Sequence, residues 1–167
     1  MSRSGSSTRL GTTGPSDAQL LSLGKLFFLA SYCPLHRKFP TAALSRLFAI
    51  AVNHDCVRFF ENEDKKTSAA LIWARLSKDV ADRMIQDRVP PGEADWVSGD
   101  TLWFLDLLAP FGQGRQIARH IARHPPAERF CFARIDDVGR VRKVVQGNAG
   151  AKRGKRLSSR IFKAQTS

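Results

Sequence analysis

Cysteine is scarce in this chain, with three in 167 residues: Cys33, Cys56 and Cys131. They have no metal-ligand spacing and cannot all pair with one another. That excludes a disulfide-stapled scaffold and a zinc module, so no metal is expected and a reducing cytoplasm is the expected compartment. Long apolar runs are missing as well. None approaches the roughly 20 residues needed to span a bilayer. The N-terminal candidate, Leu26 to Ala30, is too short for a secretion signal, and the polar residues before it lack the charged-then-apolar order. No internal repeat is present.

Acidic residues are few beside basic ones, 15 against 27, for a formal net charge of +12. The imbalance is concentrated after Gly114, where only Glu128, Asp136 and Asp137 oppose a long series of arginines and lysines. A field of that sign attracts acidic partners, and nucleic acid, anionic lipid and an acidic protein all qualify. Against nucleic acid stand further absences. There is no zinc spacing, no helix-turn-helix pattern and no aromatic platform interleaved with the basic residues.

What is present suits one domain with a core of ordinary size, at 43% hydrophobic residues. Residues Met1 to Pro15 are rich in Ser, Gly and Thr and read as a disordered tail. Residues 16–150 form the expected domain, and 151–167 a basic C-terminal segment ending in a short helix through Leu157, Ile161 and Phe162. Ser16 and Gln19 make a capping box for a helix over Asp17 to Ser31, with Leu20, Leu23, Phe27 and Ala30 on one face. Thr41 is placed to cap a second helix whose stripe is Leu44, Leu47, Phe48 and Ala51. Val57 to Phe60 and Ser68 to Trp73 read as strands, joined by Asn62-Glu63-Asp64-Lys65-Lys66. Ser77 caps a third helix, with Pro90-Pro91-Gly92 beyond it. Arg115, Arg119 and Arg123 share one ridge of a fourth, opposite Ile117 and Ile121. Phe130 to Ile135 and Val141 to Val145 are expected as a hairpin around Asp136-Asp137-Val138-Gly139. The sum is an α/β (α+β) single domain, a mixed β-sheet flanked by helices.

Between the third and fourth helices, Leu102 to Ala109 is apolar at every position except Asp106. That reads as a strand buried on both faces and ended by Pro110 and Gly112. An ionised carboxylate there is costly unless it is hydrogen-bonded or paired, so Asp106 is either a structural charge or a working group. A second segment, Cys33-Pro34-Leu35-His36-Arg37-Lys38-Phe39-Pro40, holds a histidine and a thiol between two prolines.

Together these segments resemble the signature of the RTX-toxin-activating lysine acyltransferases, the hemolysin C type. Members carry Ser-Pro-Leu-His-Arg and, later, Trp-x-Ser-Gly-Asp-x-x-Trp-Phe-x-Asp-x-x-Ala-Pro-Phe-Gly. The second motif is matched by Trp96, Ser98-Gly99-Asp100, Trp103-Phe104, Asp106 and Ala109-Pro110-Phe111-Gly112. The resemblance implies a variant of the GNAT-like acyltransferase fold. It also implies transfer of a fatty acyl group from acyl-acyl-carrier-protein to an internal lysine of an RTX-type protoxin, with a homodimer among the expected states. No permanently bound cofactor is implied; the phosphopantetheine thioester is the donor.

The family's catalytic histidine falls on His36 and its aspartate on Asp106. Lysine's pKa near 10.4 leaves few free amines at neutrality, so a base must act as the amine attacks, and an imidazole with an ordinary pKa near 6.5 suits that task. Asp106 is then an orienting carboxylate. Cys33 stands where members usually have serine, which adds a candidate covalent nucleophile. Leu47 stands where they often have an asparagine implicated in the site. Donor binding is expected at Phe111, Gly112 and Gly114, with Arg115 and Arg119 meeting the phosphodiester of an acidic carrier protein. His54, His120 and His124 have no expected role in catalysis. A basic nucleic-acid-binding module and a catalytically inactive scaffold are the alternatives.

Overall fold

The computed structural model describes residues 14–135, 141–152 and 154–161. Of the expected tail, only Gly14 and Pro15 fall within them, and the Asp136–Gly139 turn lies outside. Helix α1 runs Asp17–Tyr32 and opens on the expected box, with Gln19 N–H donating to Ser16 Oγ and Ser16 N–H to Gln19 Oε1. Leu26, Leu29 and Ala30 are buried and Leu23 and Phe27 pack against the same core, so the expected face is kept except at Leu20, which is half exposed. From Leu23 onward α1 packs against the core. Helix α2 is Thr41–Asn53, and Pro40, not Thr41, occupies its cap. The Pro40 carbonyl accepts from Ala43 and Leu44, and no side chain caps this end. Leu44, Phe48, Ile50 and Ala51 are buried, while Leu47 is half-buried.

Strands β1 (Val57–Glu61), β2 (Thr67–Leu76) and β3 (Thr101–Leu108) pair antiparallel in succession. Helix α3 (Lys78–Gln86) lies between β2 and β3, capped by the Ser77 hydroxyl at Val80 N–H. After β3 comes α4 (Gly114–Arg123), burying Ile117 and Ile121 with the arginine ridge outward. Strands β4 (Arg129–Ile135), β5 (Val141–Asn148) and β6 (Leu157–Ile161) complete a six-stranded sheet in the order β1 to β6. The final helix expected through Leu157, Ile161 and Phe162 is therefore corrected. The chain from Leu157 pairs antiparallel with β5 instead, its Leu157, Ser159 and Ile161 opposite Gly147, Val145 and Lys143, and Phe162 lies outside the described residues. Spacing of four between Leu157 and Ile161 suits a helix and a strand alike, and an open edge on β5 decides it.

Among the described strands, only β3 and β4 pair in parallel, with α4 as the crossover between them. Their ladder joins only Leu102, Trp103 and Phe104 to Phe130, Cys131 and Phe132. Beyond Phe104 the two strands are not paired. This is why β3 is not buried on both faces along its length: Leu102, Trp103 and Leu108 are buried, but Phe104 to Leu107 are only half-buried. A mixed sheet with helices on both faces and a parallel pair that opens in this way is consistent with the GNAT-like fold. The main core fills the space between one face and α1, α2 and α3, around Phe48, Ile72, Trp96 and Leu108. A smaller one lies under α4, around Leu71, Ile117 and Ile121.

Candidate active site

Pro34 cannot continue α1, because a proline has no backbone N–H for the helix ladder. The chain turns at Cys33, whose N–H still reaches the Leu29 and Ala30 carbonyls, and winds one tight turn over His36–Lys38 before Pro40 starts α2. Arg37 N–H donates to the Cys33 carbonyl and Phe39 N–H to that of His36. His36 is thereby pinned between two helices and is only 3% exposed, its ring edge-on to Phe39.

Asp106 reaches it from the sheet because β3 carries a bulge. Ile72 of β2 pairs with Asp106, but the next residue, Trp73, pairs with Phe104, so Leu105 is the extra residue. Bulges re-aim side chains beside functional sites. Cross-strand partners share a sheet face, so Asp106 lies with Ile72 on the side covered by α1 and α2. Its Oδ2 is 2.7 Å from His36 Nε2, and its Oδ1 accepts from Leu107 N–H at 2.8 Å. A carboxylate only accepts, so Nε2 carries the proton and Nδ1 is the nitrogen left for chemistry. Nδ1 is 2.9 Å from Cys33 Sγ. Thiol, imidazole and carboxylate thus lie in a row, the arrangement in which an acid orients a base and the base serves a nucleophile or an incoming proton.

The electrostatics follow from that row. Burial alone would push the imidazole down, but the Asp106 hydrogen bond and charge, with help from Cys33, raise it from 6.5 to about 9. The ordinary value near 6.5 expected for His36 is corrected accordingly. Burial likewise pushes the Cys33 thiol up, yet the His36 side chain, nearby backbone N–H groups and the imidazolium charge leave it below its usual value. Cys56 and Cys131 differ. Both are buried and raised, Cys131 by burial and Cys56 by burial with the Asp55 charge added.

The Ser98-Gly99 step of the long motif does structural work. Ser98 Oγ accepts from Ser77 N–H at 2.9 Å, and Gly99 lies against the Leu76–Ser77 backbone so closely that a Cβ would fall 2.5 Å from Ser77 N. That contact ties the start of β3 to the end of β2. Gly112, at φ +80, makes the turn into α4 in the left-handed region.

On the α4 side, Arg115 and Arg119 overhang a groove of ≈ 520 Å³ floored by Leu71, Phe104, Phe130 and Phe132, with Asp106 on its border. No side-chain hydrogen bond caps the N-terminus of α4, where Gln113 and Gly114 are half-buried. Phe111 does not line the groove. It packs with Phe28 and Tyr32 of α1, at ring separations of 6.3 and 5.8 Å. Of this exposed aromatic group beside Cys33 the sequence reading includes Phe111 alone; the signal for Phe28 and Tyr32 is their spacing of four on one helix face. A larger groove of ≈ 750 Å³ between the β1–β2 turn and α4 includes neither His36 nor Asp106, so size alone does not mark the site. His54 ends α2 and stacks on buried Trp96, while His120 meets Phe60 edge-on and tilts against His124.

The profile of the RTX toxin acyltransferase family matches residues 17–156. Among curated proteins, the chain is 34% identical over 142 residues to the RTX-I toxin-activating lysine-acyltransferase ApxIC of Actinobacillus pleuropneumoniae, covering 84% of this chain and 80% of that one. It is 33% identical over 143 residues to the protein-lysine myristoyltransferase HlyC of Escherichia coli, with coverage of 84% and 80%. A third relative is the leukotoxin-activating lysine-acyltransferase LtxC of Aggregatibacter actinomycetemcomitans, 28% identical over 140 residues, with 84% and 82% covered.

Proposed function

The chain belongs to the RTX toxin acyltransferase family, and from that premise we propose that it moves a fatty acyl group from acyl-acyl-carrier-protein to the ε-amine of an internal lysine in an RTX-type protoxin. The relatives are named as lysine acyltransferases, which makes acyl transfer to lysine the activity of this chain's family. The observation that carries the finer reading is the 2.7 Å contact between His36 Nε2 and Asp106 Oδ2, beside a groove lined by Arg115 and Arg119.

The reaction then runs as follows. The lysine ammonium gives one proton to solvent, and its amine attacks the thioester carbonyl as the C–N bond forms. His36 Nδ1 takes the second proton from that nitrogen. The C–S bond breaks, and the imidazolium returns the proton to the departing pantetheine sulfur. Asp106 keeps the ring in the tautomer that exposes Nδ1 and balances its charge. A pair titrating at about 9 is a stronger base than free imidazole and closer to lysine's own value, though only about one ring in a hundred is neutral at pH 7. The acidic carrier meets the arginine ridge, and its phosphodiester meets Arg115, Arg119 and the start of α4 at Gly112–Gly114.

A second reading has its own observation, the 2.9 Å approach of Cys33 Sγ to Nδ1. In it the Cys33 thiolate takes the acyl group by thioester exchange, and the lysine amine then releases it. The two routes differ in whether an acyl adduct forms on the enzyme without acceptor. Incubation with acyl-loaded carrier protein and candidate protoxin fragments, followed by peptide mapping, tests the proposal. Acyl mass on a lysine supports it; no transfer to any lysine contradicts it.

A further inference from the structure

Half of the large apolar side chains left exposed among the described residues lie on or against one short stretch, the end of α1 and the turn after it: Phe28, Tyr32, Leu35, Phe39 and Phe111. Phe28, Tyr32 and Phe111 pack on one another at ring separations of 5.1, 5.8 and 6.3 Å, yet each stays about half exposed. An aromatic group held together but left in water marks a contact surface. It ends beside Cys33, the half-buried residue at His36 Nδ1, while Asp106 closes the Nε2 side. This is therefore the face from which Nδ1 is approached. Its charge has one sign. No aspartate or glutamate occurs between Asp17 and Asp55, or between Asp106 and Glu128. Asp106 itself is engaged by His36 and Leu107. Arg37 and Lys38, both exposed, have no ion-pair partner among the described residues.

We propose that this face docks the acceptor protein: the Phe28–Tyr32–Phe111 platform takes an apolar side chain beside the acceptor lysine, and Arg37 and Lys38 take carboxylates flanking it. The assignment rests on the acyl-transfer reading and names the kind of lysine that reading selects. An ammonium arriving alone meets two cations and no free carboxylate, so the field turns it away. The same ammonium on a segment that carries acids arrives under a net attraction. The charge thus rejects an isolated lysine as much as it admits the right one. Aromatic rings and arginine are also the side chains that carry most of the contact energy at protein interfaces. Other occupants fit less well. A two-fold contact with a second copy sets the same patch against itself, bringing Arg37 and Lys38 of both copies together. A lipid surface suits the charge, but laid over this face it covers Cys33 and shuts the amine out. Phe111, which does not line the donor groove, gains a place on the acceptor side.

The test uses the full chain, acyl-loaded carrier protein and an RTX-type protoxin, with the modified lysine located by peptide mapping. That lysine is expected to have a large apolar side chain and a carboxylate within about four residues, roughly 14 Å of extended chain. A modified lysine lacking either neighbour overturns the assignment while leaving acyl transfer intact. Tyr32→Ser is expected to raise KM for the protoxin at least about tenfold, with kcat and the donor's KM within about threefold of wild type. An unchanged acceptor KM overturns the assignment. A charge arm combines Arg37→Glu with Lys38→Glu and, separately, replaces the flanking carboxylates of the protoxin by lysine. Each change alone is expected to cost at least about tenfold in kcat/KM, and the two together to recover most of it. No loss from either, or no recovery, overturns the assignment. Sedimentation and pelleting with anionic vesicles cover the other occupants. If Tyr32→Ser alters the oligomeric state or releases the protein from vesicles while the acceptor KM holds, the face belongs to a second copy or a membrane. If wild type modifies no lysine at all, the acyl-transfer reading itself fails, and this assignment with it.

Discussion

Asp106 and His36 stand 70 residues apart in sequence and 2.7 Å apart in space, joined through a bulge in β3 and a one-turn link between α1 and α2. The carboxylate accepts from Nε2, and the thiol of Cys33 stands at Nδ1. Each side of the ring therefore has one partner, and each partner can be removed by itself.

Asp106→Asn keeps the shape of the side chain but removes the charge that fixes the ring. The fold is expected to persist, with an unchanged circular dichroism spectrum. Turnover is expected to fall by about 10²–10⁴-fold, the range of a lost positioned proton transfer. Acylation rates measured at saturating donor check this, and an unchanged rate makes Asp106 a structural charge.

The pairing also sets a pH dependence. His36 must be neutral at Nδ1 to accept a proton, so kcat/KM for acylation is expected to rise through the neutral range toward about 9. In Asp106→Asn that limb should move to lower pH, while the acceptor lysine's own limb stays. Stability runs in the opposite sense. A folded-state pKa raised above the unfolded 6.5 gives stabilisation fully present below about 6.5 and lost as pH climbs through about 9. The difference in Tm between wild type and Asp106→Asn should therefore narrow across that window.

Cys33 separates the two chemical routes. Direct transfer expects Cys33→Ser to stay within several-fold of wild type and Cys33→Ala to form no less product for want of a nucleophile. The covalent route expects an acyl adduct on the isolated enzyme, seen by intact mass and absent in Cys33→Ala, whose turnover then collapses.

Gly99→Ala probes the motif's structural half. Its added methyl would meet the Leu76–Ser77 backbone, which cannot give way as a side chain could. A loss of about 1–3 kcal/mol is expected in denaturant unfolding, the usual cost of overpacking. Arg119→Ala, on an exposed face, should leave stability near wild type.

Much of this was legible in the residues, for identifiable reasons. The capping box at Ser16, the arginine ridge of α4 and the polar turn before β2 are local patterns, and local patterns survive folding. Asp106 was conspicuous because a lone carboxylate in an apolar run needs an explanation. What escaped depended on partners far along the chain. Leu157 to Ile161 fits either period, and the open edge of β5 made it a strand. The half-exposure of Phe104 to Leu107 follows from where β4 leaves β3, which no residue in β3 encodes. The raised pKa of His36 needs Asp106 at 2.7 Å, a distance the motifs imply only through the resemblance.

The central claim is that the His36–Asp106 pair drives acylation of a lysine. Its most direct measurement incubates wild type and His36→Ala with acyl-loaded carrier protein and an RTX-type protoxin, then quantifies acyl-lysine by peptide mapping. The expected result is a modified lysine with wild type and at least about a hundredfold less with the folded variant. Equal acylation by His36→Ala would contradict it.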